Sequence, residues 1–233
     1  MEDRVTGIEV ILPDRSELAR GARPGGRKPM ASVTLQIEGG GGPRIAVPVR
    51  VARLLSEQEL SLPREREEVF AAIGALEEKT CFAALTDMIS RREHGSAEAR
   101  GKLRSYGYRE QDIDAAIARA TELHFLDDAR FISNFIEEHK RRGWGRRKIE
   151  VELRRRGVAI SDIEGYPEAF FSEEEDAERA ERALERKAVS GGDAYEKLVR
   201  YLMGKGFSYR IASEAAREHL AGAVDGGGEL WRE

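Results

Sequence analysis

The sequence predicts a mainly α protein, an elongated tandem array of three three-helix modules preceded by a small antiparallel β-rich N-terminal region. Three observations predict it. The motif Leu103-Arg-Ser-Tyr-Gly107 recurs as Leu153-Arg-Arg-Arg-Gly157 and Leu202-Met-Gly-Lys-Gly206, with the glycines 50 and 49 residues apart, so one supersecondary unit is strung out three times. Ala99, Ile149 and Leu198 stand four residues before those leucines, which gives each unit an apolar helical face running up to a glycine stop. The first part of the chain instead alternates apolar and polar residues, the period of a half-buried strand.

Residues 1–55 form the β-rich region. Ile8, Val10 and Leu12 mark a first strand, Val33, Leu35 and Ile37 a second, and Ile45, Val47, Val49 and Val51 a third, with Gly39-Gly-Gly-Gly42 as a loose hairpin turn between the last two. Asp14 to Pro29 sets Arg15, Arg20, Arg23, Arg27 and Lys28 against Asp14 and Glu17 and reads as a mobile basic loop, either solvated or touching phosphates. Residues 56–80 are expected to be a connecting helix. Ser56-Glu-Gln-Glu59 offers a capping box, and Pro63 suits a helix start at about Arg64.

Module one is expected over 81–126, module two over 127–171 and module three over 172–222, followed by a flexible tail, 223–233. The first helix of each carries an apolar stripe: Phe82, Leu85 and Ile89, then Phe131, Ile132, Phe135 and Ile136, then Ala177, Ala180, Leu184 and Ala188. The second ends at the motif glycine, which enters a left-handed cap cheaply, with Tyr108, Val158 or Phe207 supplying the apolar contact that accompanies such caps. The third is marked by Ile113, Ile117 and Ala120, by the capping box Ser161-x-x-Glu164, and by Ser208 ahead of Ile211, Ala212 and Ala215. In module two Gly165 and Pro167 interrupt it. An internal proline costs about 3 kcal/mol, so this helix should be short or broken around Gly165. Asp127 and Asp128 precede the Phe131 stripe, where aspartate caps a helix and suits its positive end better than it suits acid–base or metal chemistry.

These repeats resemble the RecX family, the bacterial regulators of the RecA recombinase. The resemblance is carried by Ser96-Ala-Glu-Ala-Arg-Gly-Lys-Leu-Arg-Ser-Tyr-Gly-Tyr, His124-Phe-Leu-Asp-Asp-Ala-Arg-Phe-Ile, Gly143-Trp-Gly-Arg-Arg-Lys-Ile-Glu-Val-Glu-Leu-Arg-Arg-Arg-Gly-Val and Lys197-Leu-Val-Arg-Tyr-Leu-Met-Gly-Lys-Gly-Phe-Ser-Tyr, in the family's order. One departure stands out: Arg91-Arg-Glu-His-Gly-Ser96 carries Glu93 and His94 where the family has an arginine-rich run. The resemblance implies a regulator, chiefly an inhibitor, that lodges in the groove of the RecA–DNA filament and damps ATP hydrolysis, strand exchange and coprotease activity. It implies the RecA filament as partner, only weak contact with single- or double-stranded DNA, a monomer, and a place in DNA repair and the SOS response.

Composition narrows the classes. With 35% charged and 7% aromatic residues among 233, the chain suits a helical protein with much surface better than an enzyme with a deep core. No apolar run approaches the ~18 residues of a membrane span and no signal peptide is apparent, so a cytoplasmic protein is expected. Cys81, the single cysteine, is expected to be a buried apolar residue, and His94, His124, His139 and His219 are isolated from one another, which argues against a metal site. Neither a phosphate loop nor a dinucleotide fingerprint appears, so no cofactor is expected. No nucleophile, base and orienting group are suggested by spacing, so an enzyme is not expected.

The net charge of −4 hides segregation. Lys140 to Arg156 holds nine basic residues against Glu150 and Glu152, whereas Glu173 to Glu185 holds seven acids against Arg179 and Arg182. Lys140, Arg141, Arg142, Arg146, Arg147, Arg154, Arg155 and Arg156 are therefore the candidate contacts to a partner, gripping phosphates or carboxylates through forked hydrogen bonds. Trp144, between Gly143 and Gly145, either fills a gap between modules or anchors an interface. Two bland or rival readings stay open: a solvated basic face, and a general DNA-binding protein that acts without a recombinase and loses affinity steeply with salt.

Overall fold

Alternation builds the N-terminal sheet. In the computed structural model, which describes residues 4–21, 26, 28–58, 60–185, 187 and 191–225, β1 (Arg4–Ile11), β2 (Ala31–Ile37) and β3 (Arg44–Val47) pair antiparallel. A two-residue strand, β4 (Arg64–Glu65), pairs with the start of β1 and completes the order β3-β2-β1-β4. A register shift between Val5 and Gly7 keeps Val5, Ile8 and Val10 on the side that meets Val33 and Leu35 in the core.

Three local expectations are corrected here. The third strand stops at Val47, because Pro48 has no N–H for the ladder and instead offers its carbonyl to Ala52 N (3.1 Å), opening α2 (Val49–Glu57). Val49 and Val51 fit either period, but Val51, Ala52 and Leu55 bury at helical spacing. Ser56 opens no helix: it lies in the last turn of α2 and donates to Ala52 O at 3.0 Å, while Glu59 lies outside the described residues. The stretch expected to be a loop begins with α1 (Arg15–Gly21), entered through a reciprocal cap in which Asp14 Oδ1 accepts from Glu17 N (2.8 Å) and Glu17 Oε2 from Asp14 N (2.9 Å). Residues 22–25 and 27, with Arg23 and Arg27, lie outside the described residues, as does the side chain of Arg20.

The connecting helix and the first helix of module one are one helix, α3 (Arg66–Ile89), so the boundary expected at 80/81 falls inside it. Neither proline nor glycine interrupts the chain there, and Thr80 bonds back to Glu77 O within the helix. With α4 (Ser96–Ser105) and α5 (Glu110–Glu122), α3 shares one core with the sheet, built on Val5, Leu35, Val51, Val69, Leu85 and Leu103. Cys81 is fully buried in that core, and burial pushes its thiol up to about 12.

The chain divides into two compact units, Met1–Asp127 and Asp128–Glu233. The second contains α6 (Asp128–Arg141), α7 (Arg146–Arg155), α8 (Glu173–Leu184), α9 (Ala194–Lys205) and α10 (Tyr209–Asp225). It has two apolar clusters: Phe131, Phe135, Ile136, Ile149 and Leu153 in one, and Leu184, Leu198, Leu202, Phe207, Ile211 and neighbours in the other. Ser208 caps α10 by accepting from Ile211 N at 3.3 Å, and α10 runs past the start expected for the tail, whose residues 226–233 lie outside the described residues, as does Ala188. The third helix of module two is a single 3-10 turn, Ile160–Asp162. Ser161 turns its hydroxyl to Asp162 Oδ1 (2.9 Å) rather than capping, and Tyr166, Phe170 and Phe171 pack where a helix would have lain.

The repeated motif forms one cap three times. The N–H of Tyr108, Val158 and Phe207 bonds to the carbonyl of Leu103, Leu153 and Leu202 at 3.3, 3.1 and 3.2 Å. The glycine N–H groups bond to Arg104, Arg154 and Met203, and Gly107, Gly157 and Gly206 have φ of 92°, 83° and 98°. This pair of bonds satisfies carbonyls that a helix end leaves open, and only glycine takes such φ without strain. No helix among the described residues is long and apolar enough to cross a membrane.

Candidate partner-binding surface

The basic segment starts in the last turn of α6, crosses Gly143-Trp-Gly145 and fills α7. Gly143, at φ 72°, ends α6 and turns Trp144 back onto it. The indole is half-buried, with its ring centre 4.4 Å from that of His139 and Lys148 Nζ 4.2 Å above it; His139 in turn stacks on Phe135. Trp144 thus packs on the core of module two, and the cation over its face adds to that packing.

Glu150 organises the outer face of α7. It accepts from Arg146 Nε (2.8 Å), from Arg154 Nη2 (3.2 Å) and from the Tyr166 hydroxyl (2.8 Å). Burial works to raise the Glu150 pKa, but hydrogen bonds from Arg146, Tyr166 and Arg154 outweigh it and hold the carboxyl below its ordinary value. Burial, reinforced by Glu150, drives the Tyr166 hydroxyl well above its usual range. Arg146 also lies over the Tyr166 ring, at 5.4 Å.

The other candidate cations divide by partner. Lys140 is largely buried, bonded to Glu137 (3.0 Å) and Glu175 (3.5 Å) and lying 5.0 Å over Phe171. Arg156 bends inward over Phe135 at 4.8 Å and reaches Glu152 at 3.4 Å. Arg142 pairs with Glu138, and Arg155 touches Glu152 at 3.5 Å. Arg141 and Arg147 are exposed and have no carboxylate partner among the described residues. Arg147 shares an exposed stripe of α7 with Val151, which is 53% exposed, and Arg155, each four residues from the next.

Part of the charge segregation is explained within this unit. Four acids crowd the first turn of α8, where Ser172 Oγ caps Glu175 N at 3.1 Å and negative charge suits the helix end. Glu175 of α8 pairs with Lys140 of α6, and Asp176 holds Arg179, whose pKa burial pulls below its ordinary value. An open cleft beside these pairs brings Arg141 together with Arg142, Arg182 and Lys205, of which Arg142 and Arg182 are paired with Glu138 and Glu178. Sequence reading overlooked Tyr166 and Val151; the spacing of Glu150 from Arg146 and Arg154, four residues either way, was the available signal for the ion-pair network.

Comparison with known proteins settles the kinship. A family profile described as RecX, second three-helix domain, matches residues 127–165, which cover α6, α7 and the 3-10 turn. The regulatory protein RecX of Vibrio vulnificus (strain CMCP6) is 35% identical over 135 residues, 56% of this chain and 86% of that protein. The chain belongs to the RecX family. The regulatory protein RecX of Vibrio parahaemolyticus is 38% identical over 137 residues, again covering 86% of the relative. The crystal structure of RecX from Lactobacillus salivarius shares the fold, with a TM-score of 0.55 at 20% identity over 63% of this chain and 99% of that one. In RecX terms, the surface built on Glu150 and α7 belongs to the second three-helix domain.

Proposed function

We propose that this RecX protein regulates the RecA recombinase, binding in the groove of the RecA–DNA filament as a monomer and inhibiting ATP hydrolysis, strand exchange and coprotease activity. The observation that carries this reading is its membership of a family of regulatory proteins over 86% of the relatives' length. The α7 stripe supports it: Arg147 and Arg155 flank an exposed Val151, an arrangement suited to a partner that is anionic and partly apolar. Added to preformed RecA filaments, the protein should slow ATP hydrolysis. Changing Arg141 and Arg147 to glutamate should weaken that effect at least tenfold with helical content unchanged, because like charges repel at the contact. Hydrolysis that does not respond to the wild-type protein would sink the proposal.

The surplus of cations along α7 also favours a second reading, a general DNA-binding protein without a recombinase partner. It requires bare DNA to bind as tightly as filaments do, with affinity falling steeply as salt rises.

A further inference from the structure

His94 lies at the floor of a separate cleft in the first unit, between α2, the end of α3 and α4. The cleft measures about 430 Å³ and is lined by Arg50, Arg91, Arg92, His94, Lys102 and Tyr106 together with Asp87 and Met88. His94 is only 4% exposed. Its Nδ1–H donates to the Arg92 carbonyl at 2.9 Å, and its Nε2 accepts from the Lys102 ammonium at 2.8 Å. A ring that donates at one nitrogen and accepts at the other is the neutral tautomer.

That choice of acceptor matters. A carboxylate in the place of His94 would hold Lys102 but add a second negative charge beside Glu98, whereas the neutral imidazole holds the ammonium without one and leaves it only the carboxylate it shares with Arg92. Arg50 is paired with Asp87 at 2.7 Å, and Arg92 forks onto both oxygens of Glu98, which also lies 3.5 Å from Lys102. Arg91 is exposed and has no partner among the described residues. The four cations thus outnumber the carboxylates bonded to them, Asp87 and Glu98, by two, and one of them is held in place by a neutral group. Concentrated cations with forked donors suit tetrahedral oxyanions, which accept several charge-assisted hydrogen bonds at once.

We infer that the cleft formed by Arg50, Arg91, Arg92 and Lys102 over His94 is a phosphate-binding site, distinct from the α7 surface. Its ligand is a phosphate group, free or in a nucleic-acid backbone.

Pyrophosphate titrated into the 15N-labelled full chain at low ionic strength tests this. The largest amide shifts should fall at Arg91 to Gly95 and at Lys102 and should saturate together. Lys102→Gln should weaken binding at least tenfold and the exposed Arg91→Gln at least threefold, while Arg53→Gln, which removes a charge on α2 outside the cleft, should change it less than twofold. A short oligothymidylate that displaces pyrophosphate, and is itself weakened by Lys102→Gln, assigns the phosphate to nucleic acid; pyrophosphate binding without such competition assigns it to a small phosphate. Shifts absent from the cleft, or equal losses in Lys102→Gln and Arg53→Gln, would overturn the site.

Discussion

Gly145 and Gly206 meet backbone to backbone. The Gly145 N–H donates to the Lys205 carbonyl at 2.9 Å, and the Arg147 N–H to the Gly206 carbonyl at 3.0 Å, so the first turn of α7 is bonded to the last turn of α9. Donors that a helix start leaves open are satisfied by acceptors that another helix end leaves open, and the opposite ends of two helix dipoles face each other. A Cβ on Gly145 would lie 2.4 Å from the Gly206 carbonyl carbon, and one on Gly206 would lie 2.5 Å from Lys148 N. Modules two and three approach through the very glycines that the repeat and the basic segment place there.

Gly204 and Gly206 should therefore respond to alanine with opposite signs, although they are two residues apart. Gly204 lies within α9, and a Cβ there would meet nothing within 4 Å, so Gly204→Ala should stabilise by about 0.5–1 kcal/mol through reduced freedom of the unfolded chain. Gly206→Ala meets φ of 98°, which costs about 1–2 kcal/mol in the left-handed region, and also the backbone of Lys148. Thermal melts should move up for the first and down for the second. Gly145→Ala isolates the contact itself, since Gly145 has an ordinary φ of −82°.

The repeat was legible because a left-handed cap needs glycine and an apolar residue after it, and those requirements show in sequence three times over. What escaped was decided by neighbours. Val49 and Val51 fit a strand or a helix, and Pro48 with Ala52 and Leu55 settled it. Ser56 and Asp14 both head plausible capping boxes; the one at Asp14 forms and the one at Ser56 does not, because α2 already occupies Ser56. The basic run was legible as charge but not as a surface. Lys140 and Arg156 turn inward onto aromatic rings, a consequence of Phe171 and Phe135 that residue type alone does not carry.

Tyr166 replaces part of a missing helix with one hydrogen bond. Its hydroxyl donates to an ionised, half-buried carboxylate, and a bond of that kind contributes about 1.5–3 kcal/mol. Tyr166→Phe should lower the urea midpoint accordingly while leaving helical content intact. It should also loosen Arg146, whose partner Glu150 loses a second anchor.

At the start of α6, Asp127 and Asp128 give a test of capping against chemistry. Changing both to asparagine should cost little, since asparagine caps about as well, whereas changing both to alanine should lose about 0.5–2 kcal/mol. The proposed slowing of ATP hydrolysis by RecA filaments should survive the asparagine change. A folded asparagine variant without any regulatory activity would show that the carboxylates act on the partner directly.

Acid should expose His94. Burial pulls its pKa below the ordinary 6.5; the Arg92 carbonyl and Glu98 oppose the shift, and Arg92 and Lys102 add to it. Across the cleft the remaining charged neighbours are Arg50, Asp87 and Arg91. In the unfolded chain the imidazole takes up its proton as pH falls through about 6.5, while the folded protein holds it neutral to lower pH. The unfolded state then binds more protons, so the contribution of the neutral ring is fully present above 6.5 and is lost as pH falls from there toward the folded pKa. Denaturant midpoints measured between pH 7.5 and 5 should decline in the wild type and decline less in His94→Gln, which keeps an acceptor for Lys102 but does not titrate. Parallel declines in the two proteins would place the acid sensitivity elsewhere in the chain.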